Sequence, residues 1–205
     1  MKFKMLFTVL TLSALVFTSC EDNKKKEQEE KERMEQMEAE REAVMQAEQE
    51  RMEMESNSIA AKAMETDTLS TLAGALQTAQ MDELLTVGEG PYTVFAPTNA
   101  AFDKVDKATL DNLMKEENHS KLGDLLEYHV VEDEITSQEL VQMINDNDGQ
   151  YTIATLNGAE LTASLEGENV ILTDEAGNKA TVVQADVDAS NGIVHIIDTV
   201  VMTKA

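Results

Sequence analysis

Three histidines, one cysteine and forty carboxylates are the side chains of this 205-residue chain with the widest chemical reach. A zinc site wants several His or Cys ligands at compatible spacing. His119, His129 and His195 are scattered, and the single thiol, Cys20, lies far upstream of all three. The sequence therefore predicts no metal and no cofactor. His195 sits between Val194 and Ile196 in an apolar run and reads as a hydrogen-bonded core residue. His129 falls at the end of a predicted helix, where the negative pole favours an imidazole cation. No Gly-x-Ser-x-Gly elbow occurs, and Ser190 precedes Asn191-Gly192 in what reads as a turn. Carboxylates are too abundant for any one pair to point to acid–base catalysis. The stretch "INDNDGQ" at 144–150 places Asp146 and Asp148 where a calcium loop wants ligands, with Gly149 at the sixth position. Ile144 at the first position and Thr155 at the twelfth break the pattern, so it reads as a polar turn. No catalytic residue is expected.

The elements that position these side chains follow from periodicity. Leu69, Leu72, Ala73 and Leu76 recur at helical spacing, with Leu84 and Leu85 after them. Tyr92 to Ala96 alternate as a strand. Leu110, Leu113 and Met114 mark another helix. Leu122, Leu125, Leu126 and His129 mark the next, with Ser120 as its cap, and Ser137 caps one carrying Leu140, Val141 and Ile144. After Gly149 the period becomes two: "YTIATL", "AELTASL", "NVILTD", "KATVVQADV" and "GIVHIIDTVVM" read as strands. Asn157-Gly158 is a hairpin signal, because both residues tolerate positive φ. Helices first and a strand meander second give an α+β fold.

Charge and composition divide the chain. The net charge is -24, and residues 66–205 carry 25 acidic against 6 basic side chains. Such a domain repels phosphate backbones, so nucleic acid is excluded as a partner. Residues 1–19 have a basic start at Lys2 and Lys4, an apolar run from Met5 to Val16, and small residues before Cys20. "VFTSC" resembles the end of a bacterial lipoprotein signal. By that resemblance Cys20 becomes the lipid-bearing N-terminus, held to a membrane by several acyl chains. The other reading is an ordinary leader and a free thiol. Residues 20–65 then form a charged, helical tether. Lys24 to Glu55 contain neither Gly nor Pro, and Glu27–Lys31 and Glu29–Arg33 have the spacing of helical ion pairs. Met34, Met37, Val44 and Met52 fit a coiled-coil seam, but Arg41 and Glu48 fall in it, which leaves at most a weak dimer. "SNSIAAKAME" at 56–65 reads as the tether's flexible end, with a monomeric globular domain over 66–205.

Within that domain, "PYTVFAPTNAAF" at 91–102 switches from strand to helix in a few residues. Thr93 and Phe95 lie in the strand, Pro97 ends it, Thr98 caps a helix over Asn99 to Ala101, and Phe102 turns inward. This segment resembles the first signature of the fasciclin domain family. "SNGIVHIIDTVVM" at 190–202, with Asn191, Gly192, His195 and Asp198, resembles the second. "LLEYHVV" at 125–131 is similar to the Tyr-His element between them. The resemblance spans about residues 66 to 204. It implies a wedge of β-strands packed with several helices, an exported or membrane-anchored location, and adhesion without catalysis. It maps receptor contact onto Asp186 and Val187, and adhesion onto Tyr128 and His129. Asn99 stands where the family often has Asp, which implies slightly lower local stability and no functional change. The expected protein is an outer membrane lipoprotein, on the cell surface or the periplasmic face, that recognises a surface protein or polysaccharide. A carbohydrate-binding accessory module and a structural envelope protein are the alternatives.

Overall fold

The structure, a computed structural model, describes residues 18–88 and 90–204, with side chains from Lys25 onward. The leader reading for residues 1–17 and the lipidated side chain at Cys20 lie outside the described residues. The chain divides into two units, residues 1–50 and 51–205. The first is helical wherever it is described, as part of α1 (Thr18–Ser56). Its composition of helix formers accounts for this. Lys31 pairs with Glu35 at 3.7 Å, whereas the expected partner of Lys31 was Glu27. Met34, Met37, Val44 and Met45 are all exposed.

Among the described residues, the second unit carries seven further α-helices: α2 (Ile59–Glu65), α3 (Ser70–Thr78), α4 (Asp82–Val87), α5 (Asn99–Phe102), α6 (Lys107–Leu113), α7 (His119–Glu127) and α8 (Ser137–Asp146). Its strands are β1 (Tyr92–Pro97), β2 (Val130–Val131), β3 (Gln150–Ala154), β4 (Glu160–Glu166), β5 (Asn169–Thr173), β6 (Lys179–Ala189) and β7 (Gly192–Ile197). The sheet order is β2-β1-β7-β6-β5-β4-β3. Strands β3 to β7 form an antiparallel meander, and β1 joins β7 in parallel register with Val94 opposite Val194. The α+β fold is as expected; the parallel central pair was not foreseen.

Both central strands are buried along their whole length, which explains their near-continuous apolar sequence. They separate two apolar clusters rather than closing one interior. On one side Val94, Ala96, Val194 and Ile196 meet α2, α3, α4 and α7, and Phe102 belongs to the same cluster as Val194. On the other side Phe95 and Ile197 meet Leu140 and Ile144 of α8 and the residues of β3 to β5.

Three local expectations need correction. Residues 59–65 are not a flexible end: they are α2, with Ile59, Ala60 and Ala63 buried in the first cluster and Ser58 capping at Ala61 N. The tether-like composition continues into this helix and hides its apolar face. Ser120 lies inside α7 and caps nothing. The cap of α8 is Thr136, in a reciprocal box with Glu139, so Ser137 is the first helical residue and its hydroxyl is free for another partner.

The strand-to-helix switch is as read: Thr98 Oγ1 accepts from Ala101 N at 3.1 Å and starts α5. Asn99 departs from its expected minor cost. Its Oδ1 accepts from Thr71 N at 2.9 Å, and its Nδ2 donates to Asp67 O and Ser70 Oγ. An amide can do both, whereas a carboxylate has nothing to donate. Asn99 therefore fastens the start of α3 to α5.

Candidate functional site

The signature residues converge on a short path of hydrogen bonds. It begins at Thr93 in β1, whose hydroxyl is fully buried. Its Oγ1 donates to Asp133 O at 2.6 Å and accepts from Ile135 N at 2.8 Å, pinning the segment before α8. Ile135 O in turn accepts from His195 Nε2 at 2.8 Å. On the far side of that ring, Nδ1 accepts from Asp186 N at 3.3 Å. The two bonds fix the Nε2–H tautomer, and Phe95 stacks on the ring with centroids 5.7 Å apart. The path ends at Ser137, which donates to Asp186 through its amide at 2.7 Å and through its hydroxyl. Strands β1, β7 and β6 are thereby tied to the start of α8.

Asp186 reaches Ser137 because β6 is irregular. Register shifts against β7 fall between Val182 and Gln184 and between Gln184 and Val187. Asp186 itself has φ 56°, a left-handed conformation that a short polar side chain tolerates better than most. Burial opposes ionisation of its carboxyl, yet the two bonds from Ser137 hold it below the usual carboxylate range. The strand β5 pairs only with Lys179, Ala180 and Thr181 of β6, so the bulged stretch beyond has no partner on that side among the described strands. Val183 is 57% exposed there, at a concavity of about 310 Å³ lined by the apolar Leu140, Val141 and Val170 and by the polar Glu168, Asn169 and Gln184, among others.

The remaining signature residues are structural as well. Asn191 Oδ1 accepts from Ile59 N at 2.9 Å and its Nδ2 donates to Leu85 O at 2.8 Å, so one side chain ties α2 and α4 to the sheet. Gly192 faces Tyr92 so closely that a Cβ would sit 1.9 Å from Tyr92 O. Asp198 accepts from Thr181 N and Thr199 Oγ1 and pairs with Lys104 at 3.4 Å. Burial works against its charge, but these donors keep its carboxyl below the ordinary range.

Tyr128 and His129, expected on a binding surface, are both buried. The Tyr128 hydroxyl donates to Glu160 O at 2.8 Å, and burial raises its pKa to about 12. His129 does not become a helix-end cation. Its Nδ1 donates to Leu125 O at 2.8 Å, its Nε2 has no partner, and burial lowers its pKa to about 4. Val187 is half-buried opposite Val194, and the exposed Asp186 carboxylate is committed to Ser137; Val183 and Gln184 are also exposed on this strand.

Sequence reading missed Asp174. It is buried and accepts from Ala176 N, Asn178 N, Asn178 Nδ2 and Met202 N, holding the β5–β6 turn and the segment after β7 together. An Asp three residues before a turn glycine, here Gly177, was the available signal.

A serine, an aspartate and a histidine thus meet, but not as a catalytic relay. The hydroxyl donates to the carboxylate, and both ring nitrogens are spent on backbone groups. Among the described residues no group of three His, Cys, Asp or Glu side chains could hold a metal ion. None of the described helices is long and apolar enough to cross a membrane.

Comparison with known proteins gives a consistent result. The family model described as Fasciclin domain matches residues 67–203. Protein sll1483 of Synechocystis is 41% identical over 145 residues, which cover 71% of this chain and 73% of that protein. Immunogenic protein MPB70 of Mycobacterium bovis is 36% identical over 155 residues, covering 74% and 72%. Cell surface glycolipoprotein MPB83 of the same species is 35% identical over 155 residues, covering 74% and 63%. A FAS1 domain pair from the insect cell adhesion molecule fasciclin I shares the fold, with a TM-score of 0.64 at 18% identity over 71% of this chain and 51% of that one.

Proposed function

The chain belongs to the fasciclin domain family, and on that premise we propose that it is an exported, adhesion-type binding protein without catalytic activity. The observation that carries this reading is the fate of the signature side chains. Thr93, Tyr128, Asp186 and His195 satisfy one another or the backbone, and none is poised to react. What faces solvent instead is the stretch of β6 that lacks a neighbour on the β5 side, with Val183 at a concavity of mixed polar and apolar lining. A free sheet edge beside a concavity with both apolar and polar lining suits an extended partner segment. A relative named as a cell surface glycolipoprotein and a fold neighbour from a cell adhesion molecule support the same reading. In it Cys20 anchors the chain to the outer membrane, α1 acts as a spacer, and the anchored domain gathers weak contacts by avidity. The partner is a surface protein or polysaccharide. Stacking on aromatic platforms is disfavoured, because the chain has no Trp and two of its three Tyr are buried.

Val183→Lys tests the face. The side chain is exposed, so urea stability is expected to change by less than about 0.5 kcal/mol. Binding of the full chain to isolated cell envelopes, read by co-sedimentation, is expected to fall about tenfold or more. Unchanged binding with Val183→Lys would remove β6 as the binding face. Absence of any binding by the unaltered chain would remove the adhesive function itself.

A further inference from the structure

A second concave surface lies where the last turns of α1 meet the domain. The β6–β7 turn holds those turns in place: Ser190 Oγ donates to Met54 O at 2.5 Å, and Ser190 N donates to Asn57 O at 2.9 Å. Asn191, through Ile59 N, fixes the start of α2 next to them. The result is a groove of about 810 Å³ bounded by the end of α1, the end of α4, the segment leading into β1, and Glu134.

Its lining has two characters. Met54 and Val87 are 55% and 53% exposed, and Pro91 also lines the groove. Two exposed apolar side chains lining one groove are more informative than either alone. Among the described residues the charged lining residues are Glu55, Glu83, Glu134 and Arg51, and the Arg51 guanidinium is already paired with Glu55 at 3.5 Å. Two carboxylates, Glu83 and Glu134, therefore face the groove without a cation to spare among its lining residues. Its volume is in the range of sites that hold a few residues of peptide.

From this charge complementarity and the apolar walls, we propose that the groove docks a short basic segment of a partner protein, with an aliphatic side chain between two Lys or Arg residues. The aliphatic group packs on Val87 and Met54, while the cations approach Glu83 and Glu134. None of these residues lines the concavity at Val183, so this site stands or falls independently of the adhesive face on β6. The strongly acidic character of the domain argues against a second copy as occupant, since like-charged surfaces repel.

The probe is the peptide acetyl-Lys-Leu-Lys-amide titrated into the full chain, followed by amide chemical shifts. Shifts are expected at Thr86–Gly88 and Ser190–Gly192, with a dissociation constant below about 1 mM at low salt that weakens as salt rises. Acetyl-Lys-Ser-Lys-amide is expected to bind at least fivefold more weakly, as is acetyl-Lys-Leu-Lys-amide to the Glu83→Gln, Glu134→Gln double variant. The control double variant Glu116→Gln, Glu117→Gln removes the same charge from an exposed turn elsewhere and is expected to leave binding unchanged. Equal weakening by both double variants would mean unspecific attraction to an acidic surface and would overturn the proposal. So would shifts spread over the whole domain, or none at the groove with millimolar peptide.

Discussion

Gly192→Ala is expected to cost about 4 kcal/mol or more and to leave most of the chain insoluble or unfolded. The reason is contact with backbone rather than with a side chain that could move. An added Cβ would sit 1.9 Å from Tyr92 O and 2.7 Å from Tyr92 C and N. Tyr92 opposes Gly192 in the parallel β1–β7 pair, and Tyr92 N donates to Asn191 O at 3.0 Å. Relief would require the two central strands to separate at their start, where Asn191 also holds α2 and α4. Gly192 has φ 147°, so strain adds to the clash. Gly177→Ala separates the two contributions. Gly177 has φ 87°, but a Cβ added there would meet nothing within 4 Å, so its substitution carries the conformational cost alone, about 1–2 kcal/mol. Urea unfolding of both variants provides the comparison. Equal stabilities would mean that the close approach of β7 to β1 is not what demands glycine.

Acidification is expected to remove about 3 kcal/mol of stability through His129 alone, between about pH 6.5 and pH 4. In the fold its pKa is lowered from 6.5 to about 4. The cause is burial, which the bond to Leu125 O opposes only in part. The residues lining the small space at His129 are apolar: Ile59, Leu72, Leu76, Leu85, Val94 and Val194 among them, with no carboxylate to receive a proton or balance the charge. The unfolded chain takes up a proton below 6.5 that the fold refuses until about 4. Stability therefore declines as pH falls through that window, and this contribution levels off below it. The lowered carboxyls of Asp186 and Asp198 act at more acid pH, because their favourable bonds are lost only as pH falls below the ordinary carboxylate range. Urea midpoints at pH 6.5 and 4.5 should differ clearly in the unaltered chain and much less in His129→Leu. Ring resonances of His129 provide a direct check, with a neutral Nδ1–H ring expected at pH 5. A ring that titrates near 6.5 would contradict the buried, unpartnered geometry.

Much of this arrangement was legible in the chain. Local chemistry marked the end of β1 at Pro97, the cap at Thr98 and the hairpin at Gly158, because proline, a capping hydroxyl and positive φ each act within a few residues. The signature motifs named the residues of the central path. Their partners were not legible, since they lie far apart in sequence: Thr93 with Ile135, His195 with Asp186 across a bulge, Asn191 with Ile59 and Leu85. Spacing also could not reveal that Tyr128 and His129 point inward. Helix α2 was hidden for a different reason, since its small apolar face of Ile59, Ala60 and Ala63 continues a segment whose composition is that of a solvated helix. The α8 cap was misplaced by one residue because Thr136 and Ser137 are equally good capping types, and only the Glu139 box distinguishes them.

The domain spends its reactive side chains on holding a sheet together, and the function proposed for it is binding through its outer face, outside the cell. Protease treatment of intact cells producing the full chain tests that most directly, followed by blotting for the domain. Loss of the domain while a cytoplasmic marker survives is the predicted result. Survival of the domain until the envelope is permeabilised would contradict a surface-exposed adhesive role.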